Sequence, residues 1–405
     1  MSPPVPGRRP SAIMHVDMDA FYASVEQARR PGLAELPFWV GGAERGVVLS
    51  ANYLARRYGV QGGMPSGRAL RLCPQGTVVP PDFDRYAAVS ASVFALFGAV
   101  TEKVEAASID EAFLDVSGAG RRLGPPRMIG EMVRARVWDE QSITCSVGIA
   151  PSKTLAKMAS TRAKPDGLLV LTADEVIAFL HPLPVERLVG VGPATAQGLH
   201  RLGLMSVGQL AHTPASTLRR AFGARTGQWL SELAWGRDDD PVVGRAPEQS
   251  IGSQTTFERD IEDPGLVCTE LLRMAARVAS RMRVAGVCGR TVTIDVRFAD
   301  FTTITRAGGL GEPSDVTDEI YALARRLFGA LGLQRARVRR VGVRVSRLVP
   351  SQSAYRQPAL DEPERGMREA ELAADSAIAR FGPRAVQRAS LTRTSFDVPS
   401  VSEAP

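Results

Sequence analysis

The sequence predicts a multidomain α/β protein, and three features of the chain support this fold class. At 405 residues the chain is longer than one ordinary domain and suits two to four. From residue 11 to 171, apolar runs typical of strands alternate with amphipathic helical stretches, which indicates one α/β unit. Residues 172–236 show helical stretches separated by glycines with no strand pattern, and residues 251–348 follow the order β-α-β-β-α-β.

The individual elements follow from the spacing of the apolar residues. Helices are predicted where these recur every three or four positions, and strands where short apolar runs or alternating patterns lie between turn residues. In the first unit the predicted strands are 12–16, 47–50, 104–109, 112–116, 144–149 and 168–171, and the predicted helices are 21–28, 53–58, 86–100, 128–138 and 151–162. In the last unit, 291–298 and 339–345 alternate as strands do, and 266–283 and 316–331 are helical. A four-stranded sheet backed by two helices follows.

The composition is that of a basic protein. The net charge is +7 and the pI about 9.6, which makes a polyanion a sensible partner. Only four of the 50 basic residues are lysines, and three of these are Lys153, Lys157 and Lys164. Either compact ammonium groups are required in this segment or the cluster is a coincidence. For Lys153 and Lys157, which share a helix face, an ordinary solvated surface is the alternative.

Several classes of protein are disfavoured. The four cysteines contain no Cys-x-x-Cys pair, so a zinc site or a disulfide framework is not expected. No window reaches the roughly 18 apolar residues of a membrane helix, and residues 1–10 lack the apolar segment of a secretory signal. The expectation is a cytoplasmic protein with no membrane partner.

Three acidic residues carry the strongest chemical signal. Asp17 follows the apolar run 12–16, and Asp110 and Glu111 lie between two further apolar runs. Carboxylates brought together at strand ends repel one another unless a cation neutralises them. Two Mg²⁺ ions about 3.5–4 Å apart can activate an attacking hydroxyl and neutralise a leaving pyrophosphate. The alternative, for any one of these acids, is a solvated residue at the end of a strand.

The segments around these acids resemble, in the same order, four motifs of the Y-family translesion DNA polymerases. They are residues 17–26 (DMDAFYASVE), residues 52–56 and 62–65 (NYLAR and GGMP), residues 108–113 (SIDEAF), and residues 146–150 and 164–167 (SVGIA and KPDG). With the later segments the resemblance covers about residues 11–348. It implies a right-hand polymerase with an α/β palm, small fingers, a helical thumb and a βαββαβ little finger.

The resemblance also implies domain boundaries. These are 11–23 and 83–171 for the palm, 24–82 for the fingers, 172–240 for the thumb, 241–248 for a linker, 249–348 for the little finger and 349–405 for a flexible C-terminal tail. The tail is rich in Ser, Gln, Pro and Glu, and only 369–380 has a helical pattern.

The implied activity is template-directed DNA synthesis without proofreading, at low fidelity, in DNA damage tolerance. Asp17, Asp110 and Glu111 would hold two Mg²⁺ ions, for which Mn²⁺ could substitute. Glu111 would hold the metal beside the primer 3′-hydroxyl and assist the deprotonation of that hydroxyl. Asp19 matches the first motif but is expected to be a structural acid.

The same resemblance assigns residues to the deoxynucleoside triphosphate. Tyr53 and Arg56 lie three residues apart on one helix face, where a guanidinium can grip phosphate oxygens. Lys164 and Ser50 would add a charge and a hydroxyl, and Phe21 belongs to the same set. Tyr22 matches the position that discriminates sugars, because a large ring under the ribose leaves no room for a 2′-hydroxyl. The alternative for Tyr22 is an ordinary core aromatic.

Primer–template DNA is the expected macromolecular partner. Gly190 and Gly192 lie in a segment that resembles a helix–hairpin–helix, whose backbone N–H groups suit a phosphate. Arg337, Arg339 and Arg340 cluster in the little finger segment and are expected to contact phosphates, with a solvated surface as the alternative.

Three further expectations complete the interpretation. Residues 357–360 (QPAL) faintly resemble a peptide that binds a sliding clamp, although its aromatic or double-leucine ending is missing. A monomer is expected. One rival is a non-catalytic DNA-bound relative, which should have lost some of the acids. The other is a repair nuclease or glycosylase built on the helix–hairpin–helix, which gives no role to Tyr22, Tyr53, Arg56 and Lys164.

Overall fold

A computed structural model describes residues 12–42, 45–244, 248–354, 366–382 and 384–392. The chain divides between residues 246 and 247 into two compact units. Each unit has its own hydrophobic core, so each is described separately.

The first unit contains eight strands and twelve α-helices among the residues described. The strands are β1 (Ile13–Met18), β2 (Phe38–Gly41), β3 (Val48–Ala51), β4 (Thr77–Val79), β5 (Val104–Ala106), β6 (Glu111–Asp115), β7 (Cys145–Ala150) and β8 (Leu168–Val170). The helices are α1 (Phe21–Arg29), α2 (Tyr53–Arg57), α3 (Ser66–Leu72), α4 (Phe83–Val100), α5 (Gly120–Leu123), α6 (Pro126–Gln141), α7 (Lys153–Ala163), α8 (Val176–Leu180), α9 (Pro193–Arg201), α10 (Val207–Ala211), α11 (Ala215–Phe222) and α12 (Ala224–Leu233).

A five-stranded sheet in the order β5-β6-β1-β7-β8 forms the centre of this unit. β1 pairs antiparallel with both β6 and β7, which explains its almost fully buried, apolar sequence. Met14 and Val16 of β1 pack with α4 and α6 on one face, whereas α7 packs on the other. The close approach of α7 requires Gly148, since a Cβ there would lie 2.0 Å from the carbonyl oxygen of Ala156.

The first unit also contains a smaller sheet and a helical segment. A three-stranded sheet in the order β3-β2-β4 packs with α2 and α3 around the fully buried Trp39. From residue 172 to 236 the described chain is helical without a strand, as predicted. α4 is the only helix among the described residues that is long and apolar enough to cross a membrane. Its side chains Tyr86, Val93 and Phe97 are buried in the core, which accounts for that composition.

The second unit begins with the predicted order of elements. Its strands are β9 (Ser250–Ile261), β10 (Val287–Phe298), β11 (Thr303–Ser314) and β12 (Val338–Pro350), and its helices are α13 (Pro264–Val284), α14 (Thr317–Gly329), α15 (Met367–Phe381) and α16 (Ala389–Thr392). The sheet order is β11-β10-β12-β9, entirely antiparallel. Val341, Val343 and Val345 of β12 face α13 and α14, so the alternating residues of β12 lie on the opposite face.

The expectation of a flexible tail over 349–405 does not hold for its described part. α15 packs on α13, where Arg283, only 4% exposed, forms ion pairs with Glu371 and Asp375 at 2.6 Å each. Asp315, which is buried, accepts three hydrogen bonds from Arg368 of α15. The sequence signal was weak because charged side chains, rather than an apolar stripe, attach this helix. Residues 357–360 lie outside the described part of the chain.

Candidate functional site

The predicted acids lie at one end of the five-stranded sheet. Asp17 of β1 is directly opposite Glu111 of β6 in the antiparallel register, so their Cβ atoms are cross-strand neighbours. Asp110 immediately precedes β6, and its carbonyl oxygen accepts a 3.0 Å hydrogen bond from the backbone N–H of Met18. Two strands separated by about 90 residues in sequence therefore bring all three acids to the same end of the sheet.

Each of two acids is paired with a lysine. Lys164 Nζ lies 2.5 Å from Asp17 Oδ1, and Lys157 Nζ lies 2.6 Å from Glu111 Oε2. The third, Asp110, accepts a 2.5 Å hydrogen bond from Ser108 Oγ. Two of the clustered lysines therefore neutralise the acids, and Lys157 does not lie on a purely solvated face.

The expected convergence of Asp17, Asp110 and Glu111 on a common point is not present in this arrangement. Among the residues that the structure describes, no group of three or more His, Cys, Asp or Glu side chains is placed to hold a metal ion. The backbone brings the three acids together, but their side chains turn toward different partners. Carboxylate oxygens are nevertheless the donors that Mg²⁺ prefers, so the residue types fit such an ion.

The two paired acids differ in their electrostatics. Burial raises the pKa of Asp17, and the neighbouring Lys164 opposes that shift. The pKa of Glu111 is lowered to about 2, first by the neighbouring His15, whose Nε2 lies 3.5 Å away, and then by Lys157. Glu111 is therefore held as a carboxylate, whereas Asp17 depends on a nearby cation for its charge.

Asp19 is fully buried and acts within the fold, as expected for a structural acid. Its Oδ1 accepts hydrogen bonds from Ser146 Oγ at 2.8 Å and from Tyr53 Oη at 3.4 Å. Its Oδ2 accepts a 2.8 Å hydrogen bond from the backbone N–H of Asp166. Asp19 thereby connects β7, the start of α2 and the turn that carries Lys164.

The residues predicted to bind the triphosphate begin at α2. The Asn52 side chain caps this helix by accepting a hydrogen bond from the N–H of Ala55. The Arg56 guanidinium lies 4.7 Å from the centre of the Tyr53 ring and donates through Nε to the carbonyl of Ala51. The stacked pair of Arg56 and Tyr53 is thus preorganised, and the terminal guanidinium nitrogens of Arg56 take no part in the hydrogen bond to Ala51. Ser50, on β3, is only 8% exposed.

The two aromatic residues at the start of α1 have different environments. Phe21 is 2% exposed and its ring lies in the hydrophobic core, so its predicted place in the nucleotide site stays a prediction that its backbone, rather than its ring, would have to fulfil. Tyr22 is half-buried, and its ring centre lies 4.6 Å from that of Tyr86. Burial and then the charge of Asp110 raise the pKa of Tyr22, which locates its ring near the acids.

The predicted hairpin in residues 188–193 has the conformation that its glycines allow. Gly190 has φ of +88°, and a Cβ there would lie 2.6 Å from the Trp229 indole. Gly192 is the N-cap of α9, which begins with Pro193. Gly190 is therefore required by its backbone conformation, and Gly192 occupies the N-cap position. The backbone N–H groups at the start of α9 lie next to them.

The predicted arginines of the second unit are partly paired with acids. Arg337 precedes β12 and lies 3.6 Å from Asp260, which is also 3.9 Å from Arg339. Arg337 precedes the strand and the ladder is irregular between Val338 and Arg340, so Arg337 and Arg339 do not alternate regularly along one strand face.

The sequence interpretation missed two arginines and a histidine. The arginines are Arg297 and Arg344. In the strand register, Arg297 of β10 lies opposite Arg340 of β12 and Thr293 lies opposite Arg344, all on the sheet face that points away from the two helices. The sequence does not show how β10 and β12 are aligned, so it could not predict that these arginines lie side by side. His15 contacts Glu111. The sequence carried a signal for this contact, because His15 and Asp17 are two positions apart on one strand and therefore point to the same face of the sheet.

Known families match most of the chain. The impB/mucB/samB family matches residues 16–161, its C-terminal domain matches 248–360, and the family described as the DNA polymerase-iota thumb domain matches 186–238. A DNA polymerase IV of Alkalilimnicola ehrlichii is 44% identical over 339 residues, which are 83% of this chain and 95% of that protein. A DNA polymerase IV of Desulfatibacillum aliphaticivorans is 41% identical over 382 residues, 94% of this chain and 96% of that protein.

Solved structures agree with these matches. A Y-family DNA polymerase chimera of Dbh and Dpo4 has a TM-score of 0.77 and 27% identity, over 84% of this chain and 99% of that one. An insertion ternary complex of Dbh DNA polymerase has a TM-score of 0.60 and 26% identity over the same shares.

An acid-bearing α/β sheet followed by a helical segment and a βαββαβ segment is the architecture of a right-hand polymerase, which confirms the predicted fold class. The chain belongs to the impB/mucB/samB family, the Y-family DNA polymerases of the DinB type. Its function is template-directed DNA synthesis in damage tolerance, as the sequence predicted.

Proposed function

We propose that Asp17, Asp110 and Glu111 form the catalytic centre and hold two Mg²⁺ ions, for which Mn²⁺ can substitute. The observation that carries this proposal is the direct cross-strand pairing of Asp17 with Glu111, with Asp110 adjacent. When bound, the ions would activate the primer 3′-hydroxyl and neutralise charge on the leaving pyrophosphate. The carboxylates supply hard oxygen donors, and Glu111 lies where it can accept the hydroxyl proton.

Lys157 and Lys164 would maintain the charge balance of this centre. Each now contacts a carboxylate within 2.6 Å, and each side chain is about a third exposed. A lysine has a long flexible stem, so Lys164 can turn from Asp17 to a triphosphate when cations neutralise the acid. This motion supports the predicted role of Lys164 in nucleotide binding.

The nucleotide would lie between the acids and α2. Arg56 and Tyr53 are already stacked, and their charge and hydroxyl suit phosphate oxygens. Ser50 adds a hydroxyl only if β3 exposes it, because its side chain is nearly covered. Tyr22, close to Asp110 and supported by Tyr86, is proposed to exclude the ribose 2′-hydroxyl.

Primer–template DNA would bind through phosphate contacts in both units. In the first unit the N–H groups beside Gly190 and Gly192 suit a backbone phosphate. In the second, Arg340 with Arg297 and Arg344 offers a basic sheet face, on which Asp295 lies 3.8 Å from Arg340. Arg337 and Arg339 lie at its edge and would extend this surface. Such contacts position DNA without reading its sequence.

The broader setting follows the family. The proposed boundaries remain palm, fingers, thumb and little finger as predicted, with the C-terminal helices added to the little finger. The proposed protein is a cytoplasmic monomer that synthesises DNA without proofreading, at low fidelity, and that binds a sliding clamp through residues 357–360. The four cysteines are free in the structure, in agreement with a reducing compartment.

Primer extension tests the catalytic centre. Wild-type protein should extend a labelled primer when Mg²⁺ and deoxynucleotides are present, and a chelator should stop it. Asp110→Ala should abolish extension. Asp115→Ala is the matched control, because Asp115 lies on the same strand β6 but pairs with Lys103 away from the site.

Each rival predicts a different result. A non-catalytic DNA-bound relative would bind the primer–template without extending it, and a nuclease or glycosylase would change the labelled DNA without nucleotides. Full extension by Asp110→Ala would contradict the proposed centre.

A further inference from the structure

His15 is a buried polar residue that lies behind the acid cluster. It is 0% exposed on the central strand β1, and its ring packs against Phe113 at a centre distance of 4.6 Å. Its Nδ1 lies 2.7 Å from Ser160 Oγ of α7, and its Nε2 lies 3.5 Å from Glu111 Oε2. This contact is longer than a normal hydrogen bond, and the buried Nε2 has no hydrogen-bond partner among the residues described. The ring therefore connects α7 to Glu111.

The hydrogen-bond inventory determines which ring nitrogen carries the proton. Ser160 has one hydroxyl proton and two acceptors in reach, His15 Nδ1 at 2.7 Å and the Lys157 carbonyl at 2.9 Å. The Lys157 carbonyl already accepts a 2.8 Å hydrogen bond from Thr161 Oγ1. A carbonyl oxygen can accept two hydrogen bonds, so the contacts of Ser160 alone do not fix the ring proton. Nε2 faces the Glu111 carboxylate at 3.5 Å, and an ionised carboxylate can only accept, so the neutral ring carries its proton on Nε2 and its Nδ1 accepts from the Ser160 hydroxyl.

The packing of α7 makes this contact possible. Gly148 of β7 is the register partner of His15, and a Cβ at Gly148 would lie 2.3 Å from the backbone nitrogen of Ser160. Only glycine lets the helix approach closely enough for the Ser160 hydroxyl to reach the ring on the neighbouring strand. The contact joins residues 145 positions apart, so it depends on this approach.

The contacts on Glu111 also define its orientation. His15 approaches Oε2, and Lys157 Nζ lies 2.6 Å from the same oxygen. No hydrogen bond to Oε1 comes from the part of the chain that the structure describes. One oxygen is thus held by two side chains, and the other is left without a protein donor among the residues described.

We propose that His15, in the Nε2–H form and hydrogen-bonded to Ser160, is a positioning residue that orients Glu111 for its cation. The inference deepens the proposed function, since it takes Glu111 as a ligand. Hydrogen bonds behind a ligand fix its direction and reduce the reorganisation that binding requires. His15 itself does not touch substrate.

A spectroscopic measurement tests the geometry without relying on activity. The full chain contains four histidines, so ¹⁵N-histidine labelling gives a short spectrum that His15→Gln assigns. The nitrogen shifts should show His15 as a neutral ring protonated at Nε2, and Ser160→Ala should alter its Nδ1 shift. A proton on Nδ1 in the wild-type protein would overturn the proposal.

Three substitutions test the function of the contact. Gln can place an N–H near the position of Nε2, Asn can reach only toward Ser160, and Phe keeps the ring volume without polar atoms. Mn²⁺ binding, followed by electron paramagnetic resonance, should weaken roughly tenfold or more in His15→Phe and His15→Asn, and kcat should fall with it. His15→Gln should stay close to wild type.

The outcomes separate the two proposals. Wild-type Mn²⁺ affinity in a folded His15→Phe would overturn the positioning role, and so would a rescue by Asn but not Gln. If the His15 variants do not fold, Ser160→Ala gives the same test, because it keeps the ring but removes the hydroxyl that holds Nδ1. Full extension by Asp110→Ala would instead contradict the catalytic centre, whatever the form of His15.

Discussion

Removal of the Asp19 carboxylate should loosen the turn that carries Lys164 while leaving the proposed metal ligands in place. Asp19 is 0% exposed and accepts hydrogen bonds from Ser146 Oγ, Asp166 N–H and Tyr53 Oη. In Asp19→Ala these donors lose their common acceptor. The Asp166 N–H is the most affected, because a backbone amide cannot rotate toward another partner.

The size of the effect on the turn follows from the 2.8 Å hydrogen bond that the Asp166 N–H donates to the Asp19 carboxylate. A hydrogen bond to a charged group contributes about 1.5–3 kcal/mol. Since each 1.4 kcal/mol corresponds to a factor of ten, amide exchange in the turn at 164–167 should accelerate by about 12- to 140-fold. Asp19→Asn should have a smaller effect, because its amide can still accept from Asp166 N–H while it donates to the Ser146 hydroxyl.

Two assays check this expectation on the full chain. Hydrogen exchange followed by mass spectrometry measures the turn, and steady-state primer extension measures KM for the deoxynucleotide, which should rise as Lys164 loses its fixed position. Asp139→Ala, at an exposed site on α6, is the control. Unchanged exchange at 164–167 in a folded Asp19→Ala would refute the reasoning.

Three further predictions concern other parts of the molecule. Tyr22→Ala should raise ribonucleotide incorporation while deoxynucleotide incorporation persists, and unchanged sugar selectivity in a competition assay would reject the proposed exclusion of the 2′-hydroxyl. Arg283→Met should destabilise the docking of α15 by about 2 kcal/mol, because Glu371 retains Thr317 N–H and Arg388 and Asp375 retains Ser280, and the amides of α15 should exchange about 30-fold faster. The exposed Arg380→Ala is the matched control, and equal exchange in both variants would contradict the ion-pair attachment. Joint replacement of Arg297 and Arg344 by Ala should lower the slope of log affinity for DNA against log salt by about two, and a slope equal to that of wild type would exclude these phosphate contacts.

The fold and the acids could be predicted because their signals are local. A strand that ends in an acid, or a glycine-rich turn before a helix, is specified by neighbouring residues, and the four motifs lie within short segments. The predicted β-α-β-β-α-β order of the second unit agrees with the structure for the same reason, since each element has its own apolar period. Phe21 shows the limit of such reasoning, because a motif position does not tell whether a ring faces a ligand or the core.

The sequence by itself determined the chemical groups: three carboxylates, a tyrosine and an arginine on one helix face, a ring for sugar discrimination and a basic surface. Tertiary structure alone decided which of them meet. Strand register placed Asp17 opposite Glu111, helix packing over Gly148 brought Ser160 to His15, and buried charges attached α15 to the little finger. Contacts between distant positions depend on register and close packing, and neither is encoded in the spacing of nearby residues.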